Sequence, residues 1–339
     1  MKILHLILSQ GFAGSERYAA ELASWQAHQK HRVMLVIPER SADPATGADI
    51  ADQVQGDVRI GRVGRLQRLG VALHAWGFRP DIIHTHLGAA GRRLRFLPLP
   101  GATVATLHRW YKRRNHAHHD GLICIAAWQR GDIPAAYRGA VETIGNWTRP
   151  RKIPAGHRAE VRRELGIKPG EYLFGAAGRL HADKGFDTLL DAFAQAQIAD
   201  SRLVIFGSGP EEVALKAKAP PGTIFAGFRP KLPFDLAALD AFVMPSRFEP
   251  FGLVLLEAMA AGLPVAATRT AGPLEILGEA SPYLVPPGDT AALAQMLRRL
   301  RMTSPPDHDL KAFSLAGQAA RIEAFYDRVM ARHKGYQSA

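Results

Sequence analysis

Residues 172–207 read YLFGAAGRLHADKGFDTLLDAFAQAQIADSRLVIFG and decide the fold. The stretch begins with a short apolar run, passes through a glycine-containing loop into the helical period TLLDAFAQA, and ends on a second apolar run, RLVIFG. Short continuous apolar runs are typical of strands that are buried on both faces of a parallel sheet, and parallel strands are usually joined by helices. The stretch therefore predicts one β-α-β unit.

The same alternation continues in both directions from this unit. Further apolar runs that we interpret as strands are KILHLIL, RVMLVI, DIIHTHL, ATVATLH and GLICIA on the amino-terminal side, and TIFAG, AFVMPS and PVAAT on the carboxyl-terminal side. The series restarts after about residue 148, and a helix is predicted at 253–261. Two successive series predict an α/β protein with two doubly wound, Rossmann-like parallel-sheet domains that face a cleft.

The domain boundaries follow from the composition. The segment IGNWTRPRKIP contains two prolines and several polar residues, as expected of a linker. We predict domains at 1–146 and 147–312, followed by a closing amphipathic helix in 313–339. The apolar face of that helix would consist of Ile322, Phe325, Tyr326 and Val329.

Composition limits the class of protein. The 339 residues are 47% hydrophobic and 22% charged, which is an ordinary balance for a globular protein with real cores. Cys124 is the single cysteine, so no internal disulfide can form. The opening MKILHLIL is too short for the apolar part of a secretion signal, and no window reaches the roughly 18 apolar residues of a spanning helix. We therefore expect a cytoplasmic protein.

Positive charge is concentrated in the first domain. The net charge is +12, and residues 1–148 hold 19 Lys and Arg against 11 Asp and Glu. Nucleic acid, an anionic membrane or an acidic substrate could each explain this excess, as could a solvated surface. No RNP motif, zinc finger or basic zipper is present, so we expect no nucleic-acid partner.

Two glycine-containing loops follow predicted strands. In the first, Gly11 and Gly14 precede a helix whose N-cap we predict to be Ser15, an arrangement that can hold an anion. The spacing is not G-x-G-x-x-G, and ordinary packing explains it equally well. In the second, Arg179 and Lys184 flank a loop at the end of a strand, where two cations could share the charge of a diphosphate.

Two glutamates lie at the start of the predicted helix in EPFGLVLLEAMAAGLPVAAT. Glu257 would lie just over one turn inside this helix, and Glu249 precedes it in the loop. The free amides of the helix start at Phe251, Gly252 and Leu253 favour negative charge, and carboxylates accept hydrogen bonds from vicinal sugar hydroxyls. The alternative is that Glu257 bonds main-chain amides and Glu249 caps the helix.

These motifs together resemble the retaining glycosyltransferases of family 4, which have the two-domain GT-B fold. The glutamates of EPFGLVLLE are eight positions apart, as in the family's E-x7-E signature. GFAGSERYAAELA, ATLHRW, GRLHADKGFDTLLDAF, FGSGPEE and FVMPSRFEPFG also occur in family order, so the resemblance covers most of the chain. The chain departs from the family in its first glycine loop and in the hinge IGNWTRP.

The resemblance implies a role for each candidate residue. Glu257 would hold the nucleotide ribose, Glu249 the hydroxyls of the donor sugar, and Arg179 with Lys184 the diphosphate leaving group. The remaining candidates would contact sugar, phosphate or base: His108, Gly14, Phe228, Arg229 and the amides of Phe251, Gly252 and Leu253. The closing helix would return to the first domain.

The function that we expect is transfer of a sugar from a UDP- or GDP-sugar to a glycan or lipid-linked acceptor, with retention and without a metal or other cofactor. A sugar-nucleotide epimerase on the same fold is the main alternative. An NAD enzyme using Glu39, a glycosidase using Glu249 and Glu257, and a non-catalytic binding module are further ones.

The basic first domain indicates where the acceptor lies. The resemblance makes this the acceptor domain, and its charge favours a lipid-linked or anionic glycan, such as a precursor of lipopolysaccharide or another polysaccharide. We therefore expect peripheral contact with the cytoplasmic face of an anionic inner membrane.

Overall fold

The computed structural model describes residues 1–44 and 46–337, the last two by their backbone alone. The chain forms two compact units that divide after residues 146 and 314, next to the limits of 146 and 312 given by the sequence. Unit 1 is residues 1–146 with the segment that begins at Leu315, and unit 2 is Trp147–Ser314.

Unit 1 contains a seven-stranded parallel sheet in the order β3-β2-β1-β4-β5-β6-β7. The strands are β1 Lys2–Ile7, β2 Arg32–Pro38, β3 Val58–Val63, β4 Ile82–His86, β5 Ala102–Leu107, β6 Gly121–Cys124 and β7 Ala140–Thr143. The helices are α1 Gly14–His28, α2 Gln67–Phe78, α3 Leu87–Leu94, α4 Arg113–His116 and α12 Leu315–Gln337. The chain reverses its direction across the sheet between β1 and β4.

Unit 2 contains a six-stranded parallel sheet in the order β10-β9-β8-β11-β12-β13. The strands are β8 Tyr172–Ala177, β9 Ser201–Phe206, β10 Thr223–Gly227, β11 Ala241–Met244, β12 Val265–Thr268 and β13 Leu284–Val285. The helices are α5 His157–Glu164, α6 Phe186–Ala196, α7 Glu212–Lys218, α8 Leu232–Asp235, α9 Leu253–Ala260, α10 Ala271–Leu277 and α11 Thr290–Arg301. Here the reversal lies between β8 and β11.

Both sheets and their helices follow from the apolar pattern. In α6, Phe186, Leu189, Leu190 and Phe193 repeat at helical spacing, and all four are buried in the core that also receives Leu297 of α11. In α12, the predicted apolar face of Ile322, Phe325, Tyr326 and Val329 is fully buried. This part of the prediction is confirmed.

One local prediction is wrong. Ser15 does not cap α1, because the helix begins at Gly14 and its N-cap is Ala13. The buried carboxylate of Glu16 takes over the capping role and accepts a hydrogen bond from the Ala13 amide at 3.0 Å. A carboxylate three residues after the N-cap can accept a hydrogen bond from the N-cap amide. It does so as effectively as a hydroxyl at the N-cap accepts a hydrogen bond from an amide further along the helix.

No helix in the described part of the chain is long and apolar enough to cross a membrane.

Candidate functional site

The candidate site in unit 2 lies between β8 and β11, where the order of successive strands across the sheet changes direction. Because β8 and β11 are neighbours but their following strands run to opposite sides, the loops after them, 178–185 and 245–252, border one crevice at the carboxyl edge. Ligands of open parallel sheets bind at such reversal points. The sequence-predicted cations are in the first loop and Glu249 is in the second.

Lys184 and Glu249 are brought together by these two loops. Nζ of Lys184 lies 2.6 Å from Oε2 of Glu249, and Ser246 Oγ lies 3.5 Å from the same oxygen. Glu249 is buried and Lys184 is half-buried, so the pair is shielded from water and its attraction is stronger than that of a surface pair. The two residues are 65 positions apart in the sequence, and the arrangement places a cation beside a hydrogen-bond acceptor.

Arg247 joins the same two loops and was not predicted from the sequence. Its guanidinium contacts the carboxylate of Asp187, at the start of α6, through two bonds of 2.7 Å. Its backbone amide donates to the carbonyl of Asp183 at 2.7 Å. The bidentate arginine lowers the pKa of Asp187, so the carboxylate stays charged and the β11–α9 loop is fixed against the β8–α6 loop.

Gly185 permits this close approach. Its φ is +63°, and a Cβ at this position would overlap the carbonyl oxygen of Pro245 in the neighbouring loop. Only glycine combines a left-handed backbone with so little space. The glycine therefore explains why the loop carrying Lys184 can lie directly against the loop carrying Glu249.

The start of α9 presents free amides, as predicted. Gly252 is the N-cap with φ +103°, and the helix begins at Leu253. Within the described residues, the amides of Phe251, Gly252 and Leu253 have no hydrogen-bond acceptor. Such amides and the helix dipole attract an anion or a sugar oxygen.

The remaining donor-side candidates occupy different environments. Arg179 directly follows the β8 edge, is exposed and forms no ion pair with a described residue. Glu257 is half-buried in the second turn of α9. Phe228 and Arg229 follow β10, and Arg229 Nη2 lies 2.7 Å from Glu164 Oε1, which lowers the pKa of Glu164. Arg229 is therefore already held by a carboxylate of α5.

In unit 1, the reversal point between β1 and β4 lies beside Gly14 and the end of β4. The amide of Ala13, just before Gly14, is used by Glu16, whose carboxylate also accepts from Ser15 Oγ at 2.9 Å. A protein carboxylate thus already occupies part of the predicted anion-binding loop. Leu87 follows β4 with φ +64°, a strained conformation of the kind that often marks functional sites.

His108 follows β5 and is the outer end of a chain of hydrogen-bonded histidines. Nε2 of His108 lies 3.4 Å from Nδ1 of His86, and Nε2 of His86 lies 3.0 Å from Nδ1 of His5. Nε2 of His5 lies 2.7 Å from the amide oxygen of Gln26. Burial lowers the pKa of His5 to about 4 and that of His108 to about 3, so these rings are neutral at physiological pH.

With the amide oxygen of Gln26 toward His5, the hydrogen bonds set one tautomer for each ring. An amide oxygen can only accept, so His5 carries its proton on Nε2 and accepts from His86 through Nδ1. His86 then carries its proton on Nε2 and accepts from His108 through Nδ1. His108 is left with a lone pair on Nδ1, which can accept a hydrogen bond from a hydroxyl.

His5, His84 and His86 also have ring nitrogens within 4.8 Å of one another, close enough for a metal ion. Hydrogen bonds already use all six of these nitrogens, however. Nδ1 of His84 lies 2.6 Å from the hydroxyl of Tyr326, and Nε2 of His84 lies 2.7 Å from the hydroxyl of Thr106. The cluster thus fits a hydrogen-bond network rather than a metal centre. The strand DIIHTHL, with its two histidines in a buried apolar run, was the signal in the sequence.

Comparison with known proteins agrees with this arrangement. The family model "Glycosyltransferase Family 4" matches residues 12–138, and "Glycosyl transferases group 1" matches residues 171–302. The chain is a glycosyltransferase with the GT-B fold. The two family matches fall on unit 1 and unit 2 respectively.

Some relatives of this glycosyltransferase match most of its length, and others match only part of it. The lipopolysaccharide core biosynthesis glycosyltransferase LpsD of Rhizobium meliloti is 28% identical in an alignment of 323 positions that covers 89% of this chain and 88% of LpsD. The GDP-mannose-dependent alpha-mannosyltransferase of Corynebacterium glutamicum is 28% identical and covers 60% of this chain and 54% of its own. The structure of Anabaena HepE in complex with UDP and glucose superposes with a TM-score of 0.72 at 22% identity, covering both chains fully.

Proposed function

We propose that this glycosyltransferase transfers a sugar from a nucleotide-diphosphate donor to a glycan or lipid-linked acceptor with retention of the anomeric configuration. We further propose that it acts in the synthesis of lipopolysaccharide or a related polysaccharide at the cytoplasmic face of a membrane. The observation that carries the proposal is the Lys184–Glu249 pair beside the free amides of Phe251, Gly252 and Leu253.

The pair is suited to a donor that carries both phosphate and hydroxyl groups. A diphosphate attracts the ammonium of Lys184, and Arg179 is exposed in the same loop without an ion-pair partner among the described residues. Glu249 would then exchange Lys184 for the hydroxyls of the sugar. Glu257 would hold the ribose, with Phe228 and Arg229 beside the base.

The chemistry requires stabilisation of the departing diphosphate. Fixed cations and helix-start amides supply this stabilisation without rearrangement in the transition state. Arg179 and Lys184 supply the charge that a metal ion would otherwise provide, so no metal or other cofactor is part of the proposal. Retention follows if the leaving phosphate helps to deprotonate an acceptor that attacks from the same face.

The similarity to LpsD supports a lipopolysaccharide-related acceptor, and the base of the donor is left as uracil or guanine. HepE was solved with UDP and glucose, whereas the mannosyltransferase of C. glutamicum is named for GDP-mannose. His108 would accept a hydrogen bond from a hydroxyl of the transferred sugar through Nδ1. Gly14 would lie near the phosphates.

A thermal-shift panel of UDP-, GDP- and ADP-sugars tests the proposal. We expect one nucleotide-sugar class to raise the Tm of the wild type and to leave that of Glu257→Ala unchanged, because the ribose contact is lost. A Tm rise with NAD alone would overturn the proposal. Turnover that persists in EDTA, with a product whose anomeric configuration matches that of the donor by NMR, supports the metal-free retaining mechanism.

The same assay separates the main alternative. An epimerase would convert the donor into its epimer in the absence of any acceptor, and NMR of the recovered nucleotide sugar detects this. Recovery of unchanged donor without acceptor, and consumption with it, is the result expected of a transferase.

A further inference from the structure

Helix α2 of unit 1 carries apolar side chains on its outer face. Leu66, Leu69, Leu73 and Trp76 are 74%, 56%, 66% and 54% exposed. The spacing of four and three residues places Leu69, Leu73 and Trp76 within an arc of roughly 60° at 3.6 residues per turn, and Leu66 is the N-cap residue of the helix. We call these four residues the outer stripe.

The outer stripe is not needed for folding. The same helix buries Val71, Ala75 and Phe78 on its opposite side, against the core that contains Val36 and Val63. The helix therefore has two apolar faces, and only one of them is covered by unit 1. Monomeric proteins rarely leave a continuous apolar row of this kind in water unless it binds something.

Arginines border the outer stripe. Arg65 precedes it and is exposed, and Arg68 donates to the carbonyl of Arg95 at 2.9 Å, which brings the end of α3 beside the start of α2. There the guanidinium of Arg95 lies 4.4 Å from the ring of Phe96, a side chain that is 79% exposed. Phe96 is thus a further exposed apolar side chain next to a residue that α2 contacts, and Arg95 lies over it.

The surrounding sequence contains almost no acid. Between Val58 and His119 there are twelve Lys and Arg residues and one acidic residue, Asp81. Asp81 is engaged with the amide of Lys2 at 2.7 Å. An apolar row with a tryptophan, bordered by arginines and without acids, has the composition of helices that lie in the headgroup region of a bilayer.

We propose that the outer stripe, with Phe96, Arg65 and Arg95, is the surface through which this protein docks on an anionic lipid bilayer. The apolar side chains enter the headgroup boundary and the arginines contact lipid phosphates. A second copy of the chain fits this surface less well, because a two-fold contact would bring the arginines against each other. The proposal assigns the membrane contact of the proposed function to a defined surface. It rests on that function only for the reason why the protein would approach a bilayer.

Vesicle sedimentation without donor or acceptor tests the proposal. We expect wild type to bind vesicles of equal parts phosphatidylglycerol and phosphatidylcholine, and to bind pure phosphatidylcholine at least about tenfold more weakly. Leu69→Ser/Leu73→Ser/Trp76→Ser keeps the charge and should reduce binding to the anionic vesicles about 100-fold. Arg65→Gln/Arg95→Gln should reduce it by about fivefold per arginine in about 0.1 M salt, and by less in 1 M salt.

Unit 2 provides a matched control. Val213 and Met302 are 82% and 85% exposed, so Val213→Ser/Met302→Ser removes comparable apolar surface and should leave vesicle binding unchanged. Equal loss in this control and in the stripe variant would overturn the proposal, as would vesicle binding that the stripe variant retains.

Two further measurements distinguish the membrane contact from donor binding and from self-association. The substituted side chains are exposed, so the thermal shift produced by the donor should be the same in wild type and in the stripe variant. Absence of this thermal shift in both proteins would reject the donor assignment and would not affect the conclusion from vesicle binding. Sedimentation velocity without lipid that shows a wild-type dimer and a monomeric stripe variant, with no vesicle binding by either, would identify a second copy as the occupant instead.

Discussion

At the residue scale, the proposed donor site depends on two side chains that form an ion pair with each other, Lys184 and Glu249. The 2.6 Å contact of Lys184 with Glu249 keeps both charges compensated in a shielded position. Removing one partner leaves the other charge uncompensated, so stability and activity both change. Removing both charges leaves neither one uncompensated, so the double variant separates the effect on activity from the effect on stability.

We expect Lys184→Met and Glu249→Gln each to lower kcat/KM roughly 100-fold, since in the proposed function each residue contacts the reacting part of the donor. The double variant should lose little more activity than either single variant, because the residues act as a unit. Steady-state kinetics on the three variants, with Tm values alongside, provides the measurement. Losses that multiply in the double variant would mean that the two residues act independently.

Arg247 acts on this pair without needing to touch the donor. Its bidentate contact with Asp187 fixes the loop that carries Glu249, so Asp187→Asn should lower kcat/KM roughly tenfold by misplacing that loop. Asp191 provides the control, since it lies on the same helix and pairs with Lys218 at 2.6 Å away from the site loops. We expect Asp191→Asn to keep wild-type kinetics, and an equal loss in both variants would assign the effect to α6 as a whole.

Sequence alone identified Lys184 and Glu249 as candidates but not Arg247 or the histidine network. Lysine and glutamate stood out because a charge beside a glycine turn, or in an apolar run, requires a reason. Arg247 lies in a polar loop where an arginine requires none, and its partner is 60 positions away. His5 and Gln26 became connected to His108 only when four elements, β1, α1, β4 and β5, packed together.

At the element scale, strands in the sheet interiors were predictable and those at the edges were largely not. All ten predicted strands are present, whereas β3, β7 and β13 were not predicted. These three lie at sheet edges, and in β3 the side chains of Arg59, Ile60 and Arg62 are exposed. A strand with a partner on only one side can carry polar residues, so its sequence loses the continuous apolar run that reveals an interior parallel strand.

In the proposed function, donor binding depends most on the start of α9. Gly252→Ala places a side chain at φ +103°, which we expect to destabilise the fold by about 1–2 kcal/mol. It should also turn the amides of Phe251 and Leu253 away from the donor and lower kcat/KM at least about tenfold. Urea unfolding and kinetics measure the two effects.

Gly262 is the control for this variant. It follows the other end of α9 with φ +75° and has open space around it. Gly262→Ala should therefore lose a similar amount of stability and keep its kcat/KM. Reduced activity in both variants would show that general strain in α9, and not the position of its amides, is responsible.

At the scale of the whole molecule, titratable histidines are unevenly distributed. All seven histidines whose pKa is lowered lie in unit 1: His5, His84, His86, His108, His116, His118 and His119. Burial is the main cause in each case, and the charges of neighbouring histidines and other cations add to it in most of them. The sequence placed ten of the 14 histidines in the first domain but could not show that these seven would be buried.

This distribution makes unit 1 the acid-sensitive part of the molecule. A histidine that stays neutral in the folded state takes up a proton on unfolding once the pH falls below its unfolded pKa of about 6.5. Stability is therefore complete above that pH and falls as the pH decreases toward the folded pKa, which is about 4 for His5 and for His116. Each such histidine contributes about 1.4 kcal/mol per pH unit within this range.

Hydrogen exchange followed by mass spectrometry at about pH 7 and about pH 5, corrected for intrinsic exchange rates, should show this asymmetry. We expect peptides from β1, β4 and β5 to lose protection at the lower pH while those from β8, β9 and β11 keep theirs, because the buried neutral histidines destabilise only unit 1. His116→Asn, which can still accept the bond from the Lys112 amide, should reduce the pH dependence by the contribution of one histidine. Earlier loss of protection in β8 and β9, or an unchanged pH dependence in His116→Asn, would show that carboxylates rather than buried histidines govern the acid response.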